Sequence, residues 1–128
     1  MTPKFRAWIK EYQVMRSVEF LAFNEKGVAE IFTNPEDGEP EDFRHTHSPE
    51  QAILMQSTGL KDINGKEIYE GDVILCEWGE MGDNIYIKTK KMVVNFSPHN
   101  LVMLEEADRL QILGNIYENP ELIKEDEK

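Results

Sequence analysis

Asp62-Ile63-Asn64-Gly65-Lys66-Glu67-Ile68-Tyr69-Glu70-Gly71-Asp72-Val73-Ile74-Leu75-Cys76-Glu77-Trp78 places two sharp turns before an apolar run. Asparagine and glycine tolerate the left-handed backbone that a tight turn requires, so Asp62 to Gly65 reverses the chain and Glu70-Gly71-Asp72 bends it again. Val73 to Trp78 then reads as a strand. Turns this closely spaced leave no room for a long helix, and the stretch decides for β structure.

Downstream the same reading continues. Gly79 to Asn84 turns, Ile85 to Lys91 and Met92 to Phe96 extend, Ser97-Pro98-His99-Asn100 turns, and Leu101 to Leu104 extends. Glu105 to Arg109 reads as a helical turn before a last strand, Gln111 to Tyr117. Upstream, Ser48-Pro49-Glu50-Gln51 has the form of a helix start, with Ser48 as cap, Pro49 in the first turn and Gln51 returning the capping bond. One helical turn is therefore expected before a strand from Ile53 to Ser57. Phe5, Ala7 and Ile9 alternate with polar or outward residues, and residues 17 to 33 read as a hairpin turned at Asn24-Glu25-Lys26-Gly27. Short strands separated by brief turns point to a small antiparallel barrel or sandwich.

At 128 residues the chain is long enough for one domain or two small ones. Its longest apolar runs, such as Phe20-Leu21-Ala22-Phe23, are far short of the roughly 18 residues a membrane span needs. The first ten residues have no signal-peptide core, and a single cysteine, Cys76, suits a reducing compartment, so a cytoplasmic protein is expected. The net charge of −11 is uneven: residues 35 to 50 hold one basic and six acidic side chains, and residues 105 to 128 hold three and eight. The acid thus falls in a loop, residues 34 to 47, and in the tail. The loop carries Pro35, Gly38 and Pro40 and reads as a mobile excursion. An acidic surface disfavours a nucleic-acid backbone, whose affinity comes from Lys and Arg displacing counterions.

Groups capable of chemistry are present without a constellation. His45 and His47 share one side of an extended segment and His99 offers a third ligand, but the pair stands in a loop 52 residues away from it, so solvated histidines rather than a metal site are expected. Cys76 lies inside an apolar strand without a partner cysteine or an adjacent base, as a buried structural thiol does. No serine stands in a nucleophile elbow, and Gly79 and Gly82 lie among acids that would repel a phosphate. No catalytic, cofactor-binding or metal-binding residue is assigned.

Two longer stretches resemble a known family. Ile53 to Ile74, containing Thr58-Gly59-Leu60-Lys61-Asp62-Ile63-Asn64-Gly65 and Tyr69-Glu70-Gly71-Asp72-Val73-Ile74, is similar to the signature of the YopX-like proteins of bacteriophages and prophages. Ile112-Leu113-Gly114-Asn115-Ile116-Tyr117-Glu118-Asn119-Pro120-Glu121-Leu122 resembles that family's ending, and Lys4-Phe5-Arg6-Ala7-Trp8 its opening. The resemblance implies an SH3-like β-barrel in the carboxyl half and no assigned catalytic activity.

The expected architecture is therefore mainly β: a β-hairpin region over residues 1–57 with its acidic loop at 34–47, and an SH3-like barrel over 58–128 ending in an acidic tail. The expected function is non-catalytic binding of an unidentified protein partner or of a second copy, with Lys61, Lys66, Glu67 and Glu70 as a candidate recognition edge. The alternative is a small nucleic-acid-binding barrel using Tyr86, Lys88, Lys90 and Lys91, the one compact basic cluster. A metal-dependent enzyme built on His45 and His47 stands behind both. No cofactor, small-molecule substrate or membrane association is expected.

Overall fold

Alternating apolar residues at the amino terminus form strand β1 (Phe5–Ile9), which buries Ala7 and Ile9 and turns back into β2 (Val14–Asn24). These elements belong to a computed structural model that describes residues 4–39, 41–80 and 86–124. The chain divides into two units, Met1–Gln56 and Ser57–Lys128. Among the described residues no helix is long and apolar enough to cross a membrane.

In the first unit β2 returns as β3 (Gly27–Thr33) through the expected Asn24–Gly27 turn: Gly27 takes φ 120° and the Asn24 side chain accepts the Lys26 amide at 2.8 Å. A two-residue strand, β4 (Thr46–His47), pairs with β3, and β5 (Ala52–Lys61) pairs along β1 through its first half. The antiparallel order is β4-β3-β2-β1-β5. One face buries Ala7, Ile9, Ile31 and Ala52, sealed by Tyr12, Val14, Val18, Leu21, Val28 and Leu54. Burying each of the two isoleucines contributes about 1.5–3 kcal/mol.

The acidic loop is not the free excursion its composition suggests. Ala7 opposes Arg16 and Ile9 opposes Val14, so Arg16 falls on the core face, where its guanidinium needs counter-charge. The loop supplies it. Arg16 Nη1 lies 3.1 Å from Glu36 and Nε 3.4 Å from Glu39, while Phe43, 7% exposed, stacks beneath the guanidinium at 5.1 Å and against Tyr12 at 4.4 Å. Ser48-Pro49-Glu50-Gln51 makes the expected single turn: the return bond forms, Ser48 N–H donating to Gln51 Oε1 at 2.9 Å, and the chain enters β5 at Ala52.

In the second unit the far half of β5 pairs with β6 (Glu67–Tyr69) across the Asp62–Gly65 turn, and Gly65 and Gly71 adopt φ of 80° and 85°. Strand β7 (Asp72–Glu80) is the centre of a second sheet, flanked by β8 (Tyr86–Val93) and β9 (Arg109–Asn115). Between them lies helix α1 (Pro98–Glu106), and after β9 comes α2 (Glu121–Lys124). Ile68, Ile74, Cys76, Val94, Leu104 and Leu110 form the core. The turn expected at Gly79–Asn84 falls partly on Met81–Ile85, outside the described residues.

Helix α1 replaces the expected turn at Ser97–Asn100 and strand at Leu101–Leu104. Ser97 caps it by accepting the Asn100 amide, and Pro98 sits in the first turn, where no amide partner is needed. Asn100, 7% exposed, donates from Nδ2 to Val93 O at 2.8 Å and accepts the Asn95 amide at 3.2 Å, tying the helix to the end of β8. With a helix where a strand was expected, no ladder among the described residues joins β8 to β9 or to β6. Among the described residues the sheets do not close into a barrel, as the SH3-like barrel expected over 58–128 would. The fold is mainly β, with antiparallel sheets.

Candidate binding groove

The family-like stretches place their polar residues in buried structural positions. Asp62, 7% exposed, accepts the Asn64 and Lys66 amides on Oδ1, both at 2.9 Å, and the Ile112 amide on Oδ2 at 3.2 Å. Burial alone would raise its carboxyl; the bonds from the Lys66, Ile112 and Asn64 amides, with the Lys66 charge, outweigh it and hold the group below the ordinary 3.8. Asp72, 1% exposed, accepts the Tyr69 amide at 2.8 Å. Asn115 accepts the Tyr117 and Glu118 amides on Oδ1 at 3.0 and 2.8 Å. These side chains are occupied in shaping turns.

The recognition-edge residues lie around the β5–β6 turn. Lys61 and Glu67 are opposite one another in the ladder, Glu67 accepts the Tyr69 hydroxyl at 3.1 Å, Lys66 gives its amide to Asp62, and Glu70 stands half-buried in the bend before β7. Lys61 also lines a depression of about 620 Å³ together with Asp62, Ile63, Glu105, Asp108 and Arg109, a mixed-charge surface.

A different surface gathers complementary groups. In the β7–β8 ladder Lys88 is opposite Trp78, Lys90 opposite Cys76 and Lys91 opposite Leu75, so strand alternation parts the basic cluster: Lys88 and Lys90 share the Trp78 face and Lys91 does not. The Tyr86 side chain lies outside the described residues. Across from the two lysines, His99, Met103 and Glu106 recur at i, i+4 and i+7 and therefore line one side of α1. Together these six residues enclose a cleft of about 360 Å³, with the half-buried Trp78 packed between it and the core. That volume lies in the range of natural ligand clefts, roughly 300–1,000 Å³. Trp78 offers apolar area, Met103 an adaptable contact, Lys88 and Lys90 exposed cations, and Glu106 one carboxylate.

Cys76 and His45 are engaged away from the groove. Cys76 is fully buried, its Sγ donating to Met92 Sδ at 3.4 Å; burial pushes the thiol up, against the pull of the Lys90 charge. His45 Nε2 lies 2.6 Å from Glu39 Oε2. His47, expected to be solvated, is 4% exposed because β4 carries it onto the core face, with its ring edge toward Phe43 at 6.3 Å and its Nε2 without a hydrogen-bond partner. His99 is on α1 in the second unit. Among the described residues no three His, Cys, Asp or Glu side chains are grouped to hold a metal ion.

Sequence reasoning missed the groove because its second wall was read as a turn and a strand. The signal was present in Ser97-Pro98 followed by His99, Met103 and Glu106 at helical spacing.

Comparison with solved structures finds a match to the crystal structure of protein EF1440 from Enterococcus faecalis, with 28% identity over 96% of this chain and 99% of that one and a TM-score of 0.57. Comparison with curated proteins finds no match. The family model described as YopX protein matches residues 4–124, nearly the whole length, and the chain belongs to the YopX family.

Proposed function

We propose that the protein is a non-catalytic interaction module of bacteriophage or prophage origin, working in the cytoplasm of a bacterial host by holding a protein partner in the Trp78 groove. One observation carries the reading: an indole, a thioether and two exposed lysines converge on one cleft, while Asp62, His45 and Cys76 are engaged in hydrogen bonds elsewhere. Apolar area with a few placed charges is the composition of a recognition surface.

A second reading uses the same floor. Lys88 and Lys90 beside Trp78 are the elements of a single-strand nucleic-acid contact, an aromatic platform flanked by cations. Against it stand the net charge of −11 and the Glu106 carboxylate in the cleft itself, which repel a polyanion running beyond the two lysines. Self-association through outer strands is the remaining form of the interaction reading.

Affinity capture from host cells, comparing the wild-type chain with Lys88→Glu/Lys90→Glu, tests the assignment. A stoichiometric protein partner retained by the first and lost by the second is expected. Equal capture by both refutes the groove as the contact surface. Light scattering on the purified chain separates a second copy from a different partner.

A further inference from the structure

The Trp78 groove has a chemical polarity that narrows its occupant. Lys88 and Lys90 project from one strand at the i, i+2 spacing of a single face, about 7 Å apart along the strand. His99 lies across the groove from them, and Trp78 and Met103 provide its apolar surfaces. Both lysines are exposed, and neither has an ion pair with a carboxylate within 4.0 Å among the salt bridges of the described residues. An apolar floor between unneutralised cations matches a ligand that carries an apolar side chain among carboxylates. Resting on the interaction-module reading, we infer that the groove binds a short acidic peptide segment of a partner protein, anchored by one aromatic or aliphatic side chain against Trp78 and Met103.

Charge complementarity selects this occupant over the others. A nucleic-acid strand carries a charge on every nucleotide and would have to set phosphates beside Glu106 as well as beside the lysines. A peptide can confine its carboxylates to Lys88, Lys90 and His99 and present neutral or basic residues to Glu106. The single apolar anchor fits a cleft of about 360 Å³, which takes one large side chain with its neighbouring backbone.

Fluorescence anisotropy on the full chain tests the inference. The probes are fluorescein-labelled synthetic peptides bearing tryptophan or leucine between glutamates, matched peptides with lysine for glutamate, and a labelled oligothymidine. The acidic peptides should bind, and Lys88→Glu/Lys90→Glu should weaken them roughly tenfold, as two exposed charge pairs of up to about fivefold each allow. The same variant should gain affinity for the lysine peptides. Met103→Glu, which leaves Trp78 in the core, should weaken binding by crowding the anchor site with a carboxylate. Acidic-peptide binding unchanged in both variants, or equal binding of acidic and lysine peptides, overturns the inference. Oligothymidine binding that the lysine variant abolishes, without acidic-peptide binding, overturns it in favour of the nucleic-acid reading. If host-cell capture still depends on Lys88 and Lys90 while no acidic peptide binds, the peptide inference falls and the interaction-module reading stands.

Discussion

Asp62→Asn isolates the role of a signature carboxylate. The change preserves shape and one acceptor oxygen, so the Asn64 and Lys66 amides, at 2.9 Å from Oδ1, can keep a weakened neutral bond. The other oxygen becomes an NH2 group facing the Ile112 amide, placing donor against donor where the wild-type distance is 3.2 Å. Hydrogen bonds to a charged group contribute about 1.5–3 kcal/mol, and an unsatisfied half-buried amide costs a comparable amount, so a net loss of about 2 kcal/mol is expected. For a unit of this size that lowers the melting temperature by roughly 8–16 °C. The sign with pH follows from the depressed carboxyl. Asp62 stabilises the fold above its ordinary 3.8 and ceases to do so as pH falls through its lowered value. The gap between wild type and Asp62→Asn should thus be full near neutral pH and shrink below 3.8. Urea melts followed by far-ultraviolet circular dichroism across acid pH measure both quantities. Glu105→Gln removes the same charge from an exposed position and should shift stability by less than about 0.5 kcal/mol. An Asp62→Asn melt that matches Glu105→Gln, or a gap that persists unchanged into acid, refutes the assignment of Asp62 as the stitch between its turn and β9.

Other perturbations reach different parts of the chain. Gly114→Ala sets a Cβ against the Asn119 side-chain oxygen and 2.9 Å from Leu122 Cδ1, which should cost about 1–3 kcal/mol in a urea melt; wild-type stability would show that Asn119 and Leu122 move aside freely. His47 is depressed below 6.5 first by burial and then by the nearby His45, against a backbone bond at Arg44 and the Glu11 charge. The unfolded chain therefore binds a proton that the folded ring resists, and stability should fall as pH drops below 6.5. His47→Leu should flatten that slope in thermal melts, and an unaltered slope would clear His47 of it. Arg16→Gln withdraws the charge that Glu36 and Glu39 face and the cation over Phe43. Limited proteolysis within residues 34–47 should become several-fold faster, and an unchanged rate would mean that Phe43 and the β3–β4 pairing hold the loop without Arg16.

The legible part of the fold was the part written in backbone demands. Asp62-Ile63-Asn64-Gly65 and Asn24-Glu25-Lys26-Gly27 turn as read because each contains a residue that must adopt a rare φ or a side chain that bonds its own amides, and neither need depends on tertiary packing. Of two Ser-Pro pairs with the same local grammar, one makes the single turn expected of it and the other opens a helix where a turn and a strand were expected. Ser48-Pro49 has the better capping sequence, and its Gln51 makes the return bond, yet the chain turns once because Ala52, Ile53 and Leu54 gain more in the ladder with β1. Ser97-Pro98 has Asn100 at the capping-box position, its amide spent on Asn95 and Val93 rather than on returning the cap, yet it opens a nine-residue helix because Leu101, Leu104 and Ala107 recur on one side and pack on the core. Capping chemistry adds about 1 kcal/mol in either place, and the burial of two or three apolar side chains decides between them. The same competition hid the role of the acidic loop. Its composition describes solvated chain, and only the register that turns Arg16 onto the core face gives those carboxylates a charge to cover.

The groove was illegible for a further reason. Its six residues all fall between Trp78 and Glu106, whereas the two stretches that carry the signature and the ending lie at 53–74 and 112–122. Asp62, Asp72, Gly114 and Asn115, from those stretches, are occupied in turns and close backbone approaches. Trp78, Lys88, Lys90, His99, Met103 and Glu106 make no such contribution to the backbone; only Trp78 packs on the core. With the groove as the proposed recognition surface, a frame fixed at two places on either side of it can change partner without changing fold, since exposed lysines and one helix face are replaced at little cost to stability. Exchanging Lys88, Lys90, His99 and Met103 together should therefore redirect binding and leave the unfolding free energy from a urea melt within about 2 kcal/mol of wild type, at about 0.5 kcal/mol for each of the four changes. A midpoint that collapses on that exchange would show that the groove residues hold the second unit together and that recognition and folding are not separated along the chain.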